Sequence, residues 1–164
     1  MSKQVVIKEE TKFGALWHFE VRSARTGRLK REVTVHNIVP NVWHAAMAQQ
    51  VAGVNTQHIG QNLYIALGTS TETPSVSDTQ LNTETVRKLA NTNYASGPTG
   101  TIRAFFNQTE AVGTFRVFGL FMNGGTTVAS ITPNSGILAS KVASLVSVAS
   151  SETLTVTINF TSTA

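Results

Sequence analysis

Apolar side chains alternate with mostly polar ones along two stretches of this chain, and this period of two constrains the fold more than any other feature. Between residues 13 and 22 the odd positions are Phe, Ala, Trp, Phe and Val. Between residues 153 and 161 the even positions are Leu, Val, Ile and Phe, with threonine at most of the positions between them. Alternate side chains of a β-strand point to opposite faces of the sheet. Both stretches therefore predict strands with one buried face.

The first alternating stretch predicts one arm of a β-hairpin. A turn at residues 25–28 follows it, and Gly27 supplies the positive φ that a tight turn needs. The second arm runs over residues 29–39. A turn near residue 27 would place His18 opposite His36, with Glu20 nearby. A metal site on this pair is the less favoured interpretation, because two histidines on a solvent-facing strand are more often ordinary polar residues.

One helix is predicted, over residues 41–52. Asn41 follows Pro40 and is expected to cap the helix, and Gly53 stands where a left-handed residue ends it. Trp43 and Met47 lie one turn apart and are expected to anchor the helix on a sheet.

The rest of the chain predicts further short strands, which define the fold class. A segment at residues 79–89 fits a helical turn followed by a strand. The other expected strands cover residues 63–68, 101–106, 115–122 and 126–131, the last after the turn sequence Asn123-Gly124-Gly125. About eight strands with one short helix predict a mainly β fold, a β-sandwich or a small barrel. Residues 13–164 would form this single domain, and residues 1–12 an arm or edge strand that adds to a neighbour's sheet.

Positive charge is concentrated near the first hairpin. Charged residues make up only 13 % of the chain, against about 25 % in average proteins. Residues 1–31 nevertheless hold eight of the 13 lysines and arginines. The basic cluster at one hairpin end consists of Arg22, Arg25, Arg28, Lys30 and Arg31. A nucleic-acid groove would need several basic strands interleaved with aromatic side chains. The cluster is therefore either a solvated turn or, as a functional site, a contact for an acidic partner protein.

The threonine face of the final strand is the second candidate contact surface. Its defining residues are Thr153, Thr155 and Thr157. Threonine is common in strands because it packs well on a pleated surface, and that alone accounts for the pattern. The alternative is that this face packs against a neighbouring subunit.

Residues typical of catalysis are sparse and scattered. The chain has no cysteine, its four histidines lack metal-site spacing, and Asp78 is its only aspartate. Glu84 and Arg87 are spaced to form a local surface ion pair, worth about 0–1 kcal/mol. We therefore expect no enzyme, no cofactor and no metal. No run of about 18 apolar residues predicts a membrane-spanning helix, and neither a membrane nor a nucleic acid is an expected partner.

A succession of short motifs carries a resemblance to a known class of proteins. Asn37 precedes the predicted helix, and Gly119 lies in a Phe-Gly-Leu-Phe run. The other motifs are Tyr64–Thr69, Pro74–Leu81, Glu84–Arg87, Asn123–Gly125 and Leu154–Phe160. In this order they resemble small structural proteins of tailed bacteriophages, and are similar to the N-terminal region of phage tail-collar fibre proteins. The acidic residue usual before the Gly-Leu-Phe element is replaced here by Arg116 or Val117, which leaves any contact of that position in doubt.

The resemblance implies a structural role in a virion. The leading expectation is a fibre or adaptor protein at the tail, baseplate or neck. A capsid decoration (cement) protein that clamps neighbouring capsid subunits is the alternative. A carbohydrate-binding module using Trp17, Trp43 or Tyr64 as a stacking platform is a further one. We expect a homo-oligomer, with a trimer favoured, that contacts tail, neck or major capsid proteins and is located in the virion.

Overall fold

The chain folds into two antiparallel sheets packed face to face. The computed structural model describes residues 12–54, 59–124 and 127–163. Within them lie nine strands and one helix, in the order β1 (Lys12–Ser23), β2 (Leu29–His36), α1 (Asn41–Val51), β3 (Tyr64–Gly68), β4 (Glu84–Leu89), β5 (Thr92–Ser96), β6 (Thr99–Phe106), β7 (Gly113–Met122), β8 (Ile137–Val148) and β9 (Glu152–Thr163). The arm expected at residues 1–12 lies outside these ranges, except that Lys12 already belongs to β1.

The strand order confirms the predicted mainly β fold and its sandwich architecture. One sheet has five strands in the order β2-β1-β9-β6-β5, and the other has four in the order β4-β3-β7-β8. Both alternating stretches of the sequence, β1 and β9, lie side by side in the interior of the five-stranded sheet. Their odd positions from Ala15 to Val21 and their even positions from Leu154 to Phe160 are buried in the core, which explains the regularity of the pattern.

The main core fills the space between the two sheets. Phe19 of β1 packs on Phe118 of β7 with 4.5 Å between ring centroids. Trp17 is completely buried, and its indole Nε1 donates a 2.8 Å hydrogen bond to Ser140 Oγ of β8. This bond satisfies the single polar atom of the tryptophan ring in an apolar surrounding. Residues from both sheets thus form one interlocked core.

A smaller core covers the outer face of the four-stranded sheet. Residues 69–83 form a loop that crosses this face and inserts Leu81, which is 1 % exposed. Gly119 of β7 makes room for it, because a Cβ at that position would lie 2.3 Å from Leu81 Cδ1. Ala66, Val117, Phe121 and Leu138 complete this second cluster. The four-stranded sheet is therefore covered on both faces.

The first hairpin forms as predicted but in a different register. Its loop is closed by the Ser23 N–H, which donates to Arg28 O at 2.9 Å, and Gly27 has a φ of 69°. The loop is centred before residue 27, and a bulge precedes it at Val21/Arg22. His18 therefore lies opposite Thr34, and His36 opposite Leu16. The predicted facing of the two histidines was wrong.

The helix begins at Asn41, the residue expected to cap it, and its N-cap lies one position earlier. Pro40 occupies the N-cap position without a side-chain hydrogen bond, and Asn41 is the first helical residue. Gly53 ends the helix with a φ of 69°, as predicted. Trp43 is buried in the main core, whereas Met47 is 38 % exposed and Ala46 takes the buried position. Trp43 alone of the predicted pair therefore anchors the helix.

Three strand assignments differ from the sequence prediction. Residues 127–131 form no strand beyond an isolated bridge between Gly124 and Thr127. The strand that pairs with β7 is β8, which the sequence analysis missed, as it missed β5. Residues 79–83 contain turns rather than a helical turn, before β4 begins at Glu84.

Candidate assembly surface

The outer face of the five-stranded sheet is a broad surface on which no described element packs. Its side chains come from the even-numbered positions of β1, β2 and β5 and the odd-numbered positions of β6 and β9. Antiparallel pairing places Thr157 between His18 and Arg103, and Thr155 between Glu20 and Phe105. We call this surface the open face. It combines the predicted threonine face with the polar face of the first hairpin.

The central threonines are less exposed than their outward direction suggests. Thr155 is only 4 % exposed, and Thr153 and Thr157 are half-buried. The cause is the position of β9 in the middle of the sheet, where longer side chains of β1 and β6 flank it on both sides. The three threonines do lie on the face opposite the core, as the alternation predicts. Phe105, which is 45 % exposed, is the large apolar side chain beside them.

The basic cluster adjoins the open face at one end of the sheet, because Arg22 lies opposite Thr153. Arg22 Nη2 lies 2.6 Å from Glu20 Oε1. Lys30 and Arg31 both reach Glu152, as described below. Arg25 and Arg28, at the hairpin tip, form no ion pair with any described residue. Three of the five predicted partner-binding cations therefore have an acidic partner within the chain, and two remain available.

Glu152 is the acidic centre of this end of the molecule. Lys30 Nζ lies 3.0 Å from its Oε1, and Arg31 Nη2 lies 2.6 Å from its Oε2. The Ala149 N–H also donates to Oε2, at 2.9 Å. Burial by itself would raise the pKa of Glu152, but the hydrogen bonds from Ala149, Lys30 and Arg31 outweigh it and hold that pKa below its ordinary value. Sequence reasoning missed this residue, because nothing in the sequence links it to the hairpin.

Two buried cations of the four-stranded sheet bind segments that cross its outer face: Lys141 binds the covering loop 69–83, and Arg87 binds Ser130 and Ser135. Arg87 Nε lies 2.6 Å from Glu84 Oε1, with both side chains almost completely buried. This pair was predicted on the surface, which is wrong, because residues 130–135 cover it. Lys141 is 1 % exposed and reaches Glu72 Oε1 at 3.0 Å and Asp78 Oδ2 at 2.9 Å. Lys141 thus links residues Glu72 and Asp78 of the covering loop to β8.

The described residues bring together no obvious chemical site. Within ranges 12–54, 59–124 and 127–163, no three metal-ligating side chains of the His, Cys, Asp or Glu type cluster. His18 Nδ1 instead shares a 2.9 Å hydrogen bond with Thr34 Oγ1. A surface recess of about 370 Å³ beside β5 is lined by uncharged residues, among them Leu63, Leu89 and Asn93. In the same ranges, no helix has the length and apolarity needed to cross a membrane.

The aromatic residues proposed for sugar stacking are not displayed as a platform. Trp17 is completely buried, and Trp43 is 6 % exposed. Tyr64 is half-buried, and the Arg87 guanidinium carbon lies 5.8 Å from its ring centroid. A sugar ring in solution therefore has no access to either tryptophan face.

Comparisons with protein-family models, with curated proteins and with solved structures produced no match to this chain.

Proposed function

We propose that this protein is a non-enzymatic structural component of a tailed-phage virion, assembling at the tail, baseplate or neck as a fibre or adaptor protein. The observation that carries the proposal is the difference between the two outer sheet faces. The four-stranded sheet is closed by the loop 69–83, which Leu81 and Lys141 fix in place. The open face of the five-stranded sheet has no such cover among the described residues. A sheet face without a cover suits contact with a neighbouring protein subunit.

The phage-like motifs support the proposal through the structural roles of their residues. Gly119 accommodates Leu81 under the covering loop. Asn37 accepts a 2.7 Å hydrogen bond from the Ala15 N–H and donates one of 2.9 Å to Ser140. Each of these residues positions backbone or closes a core, and none offers a reactive group to solvent. A motif set of this kind is typical of a protein selected for packing and assembly.

The assembled form is proposed to be a homo-oligomer, with the trimer favoured by the sequence analysis. Within the particle, the exposed Arg25 and Arg28 are proposed to contact an acidic neighbour, where rim charges mainly affect association rate and salt dependence. Tail, neck and major capsid proteins are the expected partners. The cement-protein alternative shares this chemistry and differs in the location of the contact.

The test uses phage particles produced without this protein, to which purified variants are added back. Thr157→Glu places a carboxylate on the open face beside Arg103, so the sheet itself tolerates it. Thr73→Glu is the matched control, since Thr73 is exposed on the covering loop of the opposite side. We expect Thr157→Glu to reduce the bound amount at least tenfold and Thr73→Glu to leave it unchanged.

Locating the bound protein by electron microscopy then distinguishes the two virion roles. Density at the tail, baseplate or neck supports the leading proposal, and density on the capsid lattice supports the cement role. If particles produced in the presence of the wild-type protein do not contain it, both virion roles are overturned.

A further inference from the structure

Edge strands are the places where a sheet can join another chain. An edge strand carries backbone N–H and C=O groups that no neighbour satisfies, and proteins usually protect it with charges, bulges or covering segments. The two sheets described here end in four edges: β2 and β5 in one, and β4 and β8 in the other. They differ sharply in how they are protected.

Three of the four edges carry recognisable protection. β2 contains the consecutive charged residues Lys30, Arg31 and Glu32. β4 is short and also carries charges, among them Lys88. The β8 edge is covered in part by Ile38, whose N–H and C=O both bond to Lys141, and by Arg31, which donates to Ser147 O at 2.7 Å. Addition of another strand is disfavoured at each of them.

The fourth edge, β5, is also short, but among the described residues it has no charge, no bulge and no covering segment. All five of its residues, Thr92–Ser96, are exposed. Its pairing with β6 is regular, without a bulge. Residues 89–102 contain no charged side chain and only one proline, Pro98, which lies in the turn after the strand. Tyr94, at the strand centre, is 60 % exposed. The strand thus leaves both its edge and its side chains accessible.

We propose that β5 pairs antiparallel with β5 of a second copy of this chain, joining two five-stranded sheets into one. This inference uses only one part of the proposed function, the self-association of the chain, and it names the strand that would carry it. The residues of β5 favour a second copy of β5 as the partner strand. A two-fold axis at Tyr94 places tyrosine opposite tyrosine, Thr92 opposite Ser96, and Asn93 opposite Ala95. Aromatic pairs and hydroxyl pairs stabilise antiparallel strands, and no like charges meet.

The pairing also extends the open face. A two-fold axis perpendicular to the joined sheet keeps the same face of both copies on one side. Tyr94 lies on that side, since it pairs with Thr101, which in turn neighbours Asn159 of the open face. Two open faces would therefore become one continuous surface. The contact is two-fold and therefore predicts a dimer in place of the trimer that the sequence favours.

A charge exchange tests the register directly. Asn93→Lys with Ala95→Lys places lysine opposite lysine at the two-fold contact, whereas Asn93→Lys with Ala95→Glu places lysine opposite glutamate. Both positions are exposed, so folding should be unaffected, as thermal unfolding will verify. Thr34→Lys with His36→Lys is the control that adds two lysines to the β2 edge. Molar mass is measured by sedimentation on the full-length protein at micromolar concentration.

We expect a mass of about twice 17.6 kDa for the wild type, the Lys/Glu variant and the β2 control, and a monomer for the Lys/Lys variant. A Lys/Lys variant that keeps the wild-type mass overturns the β5 pairing but leaves assembly through another surface intact. A trimeric wild type overturns it as well. The β5 pairing is also overturned if deletion of residues 1–10 abolishes association while the charge exchange has no effect. The N-terminal arm would then form the contact. A monomeric wild type also overturns the β5 pairing. In that case the proposed function is still tested on its own, by whether the protein is incorporated into particles.

A single cysteine provides a second, independent test, because the chain contains none. Facing residues of antiparallel strands have Cα atoms about 4.5–5.5 Å apart, which a disulfide can bridge. Tyr94→Cys should therefore give a disulfide-linked dimer under mild oxidation, and Thr34→Cys on the β2 edge should not. A Tyr94→Cys variant that stays monomeric under the same oxidation overturns the Tyr94-centred register.

Discussion

Arg31 of β2 and Glu152 at the start of β9 are 121 residues apart in sequence and form a 2.6 Å ion pair between Nη2 and Oε2. The same guanidinium nitrogen donates to Ser147 O of the other sheet. One arginine thus connects the β2 edge to the β8 edge and to the turn between β8 and β9. Part of the basic cluster therefore holds the two sheets together.

The first prediction concerns the pH dependence that Glu152 confers. Its pKa is lower in the folded chain than the ordinary value of 4.5, so the folded state favours the ionised carboxylate. The resulting stabilisation is present above the unfolded pKa and is lost as the pH falls through the folded pKa. We expect Glu152→Gln to lower the unfolding temperature at pH 7, by a difference that shrinks as the pH falls below 4.5. Thermal unfolding from pH 3 to pH 7 measures this. A difference in unfolding temperature between the variant and the wild type that is the same at pH 3 and pH 7 would contradict this prediction.

The second prediction separates the two parts of the basic cluster. Arg25→Ser with Arg28→Ser should leave the unfolding temperature unchanged, because neither side chain has an ionic partner among the described residues. Arg31→Ser should lower it, because Glu152 loses a buried contact, at a cost of about 1–3 kcal/mol. Differential scanning calorimetry compares the variants.

The same variants also test the proposed partner contact. Arg25→Ser with Arg28→Ser should slow attachment to particles and flatten its salt dependence. If the attachment rate and the salt slope both equal those of the wild type, the hairpin tip is only a solvated turn.

The third prediction concerns the fit between Leu81 and Gly119. Leu81→Ala leaves a cavity under the covering loop and should cost about 2–5 kcal/mol. Gly119→Ala inserts a methyl group where Leu81 Cδ1 and Leu138 Cδ1 lie within 2.9 Å, so it should cost about 1–3 kcal/mol. Urea unfolding gives both values. Gly14→Ala is the control, because a Cβ there meets nothing within 4 Å. A Gly119→Ala variant as stable as the control would show that Leu81 is free to move.

The fourth prediction concerns the buried Glu84–Arg87 pair. Glu84→Gln leaves Arg87 charged and buried, with carbonyl partners at Ser130 and Ser135 but no carboxylate. Removing one partner of a buried pair costs about 3–5 kcal/mol. Lys88, paired with the more exposed Glu110, gives the comparison, and Glu110→Gln should cost less than 1 kcal/mol. If urea unfolding shows that Glu84→Gln and Glu110→Gln lose the same free energy of unfolding, the distinction between the buried and the exposed pair is contradicted.

The sequence predicted strands with one covered face, such as β1 and β9, and two strands that read as short apolar runs, β3 and β7. β1 and β9 alternate because one of their faces meets the core and the other meets solvent. β8 was missed because Leu138, Ala139, Ser140, Lys141 and Val142 are all buried, under the covering loop on one side and the core on the other. β5 was missed for the opposite reason, since both of its faces are exposed and no apolar pattern marks it.

The sequence predicted which residues form the candidate surface, but it did not predict the contacts that these residues make. Composition located the basic cluster and the threonine face, but not that Glu152 binds two of the cations or that Thr155 is buried between neighbouring strands. Both facts depend on contacts between residues far apart in the chain. The charge of Lys141 likewise gave no sign of its partners Glu72 and Asp78, because the covering loop carries them across the sheet to β8.

Light scattering on the purified full-length protein tests most directly whether this chain acts by assembling. Measured across micromolar concentrations at moderate salt, the molar mass should be a multiple of 17.6 kDa. A molar mass of 17.6 kDa at every concentration, together with failure to bind particles that lack the protein, would contradict the account.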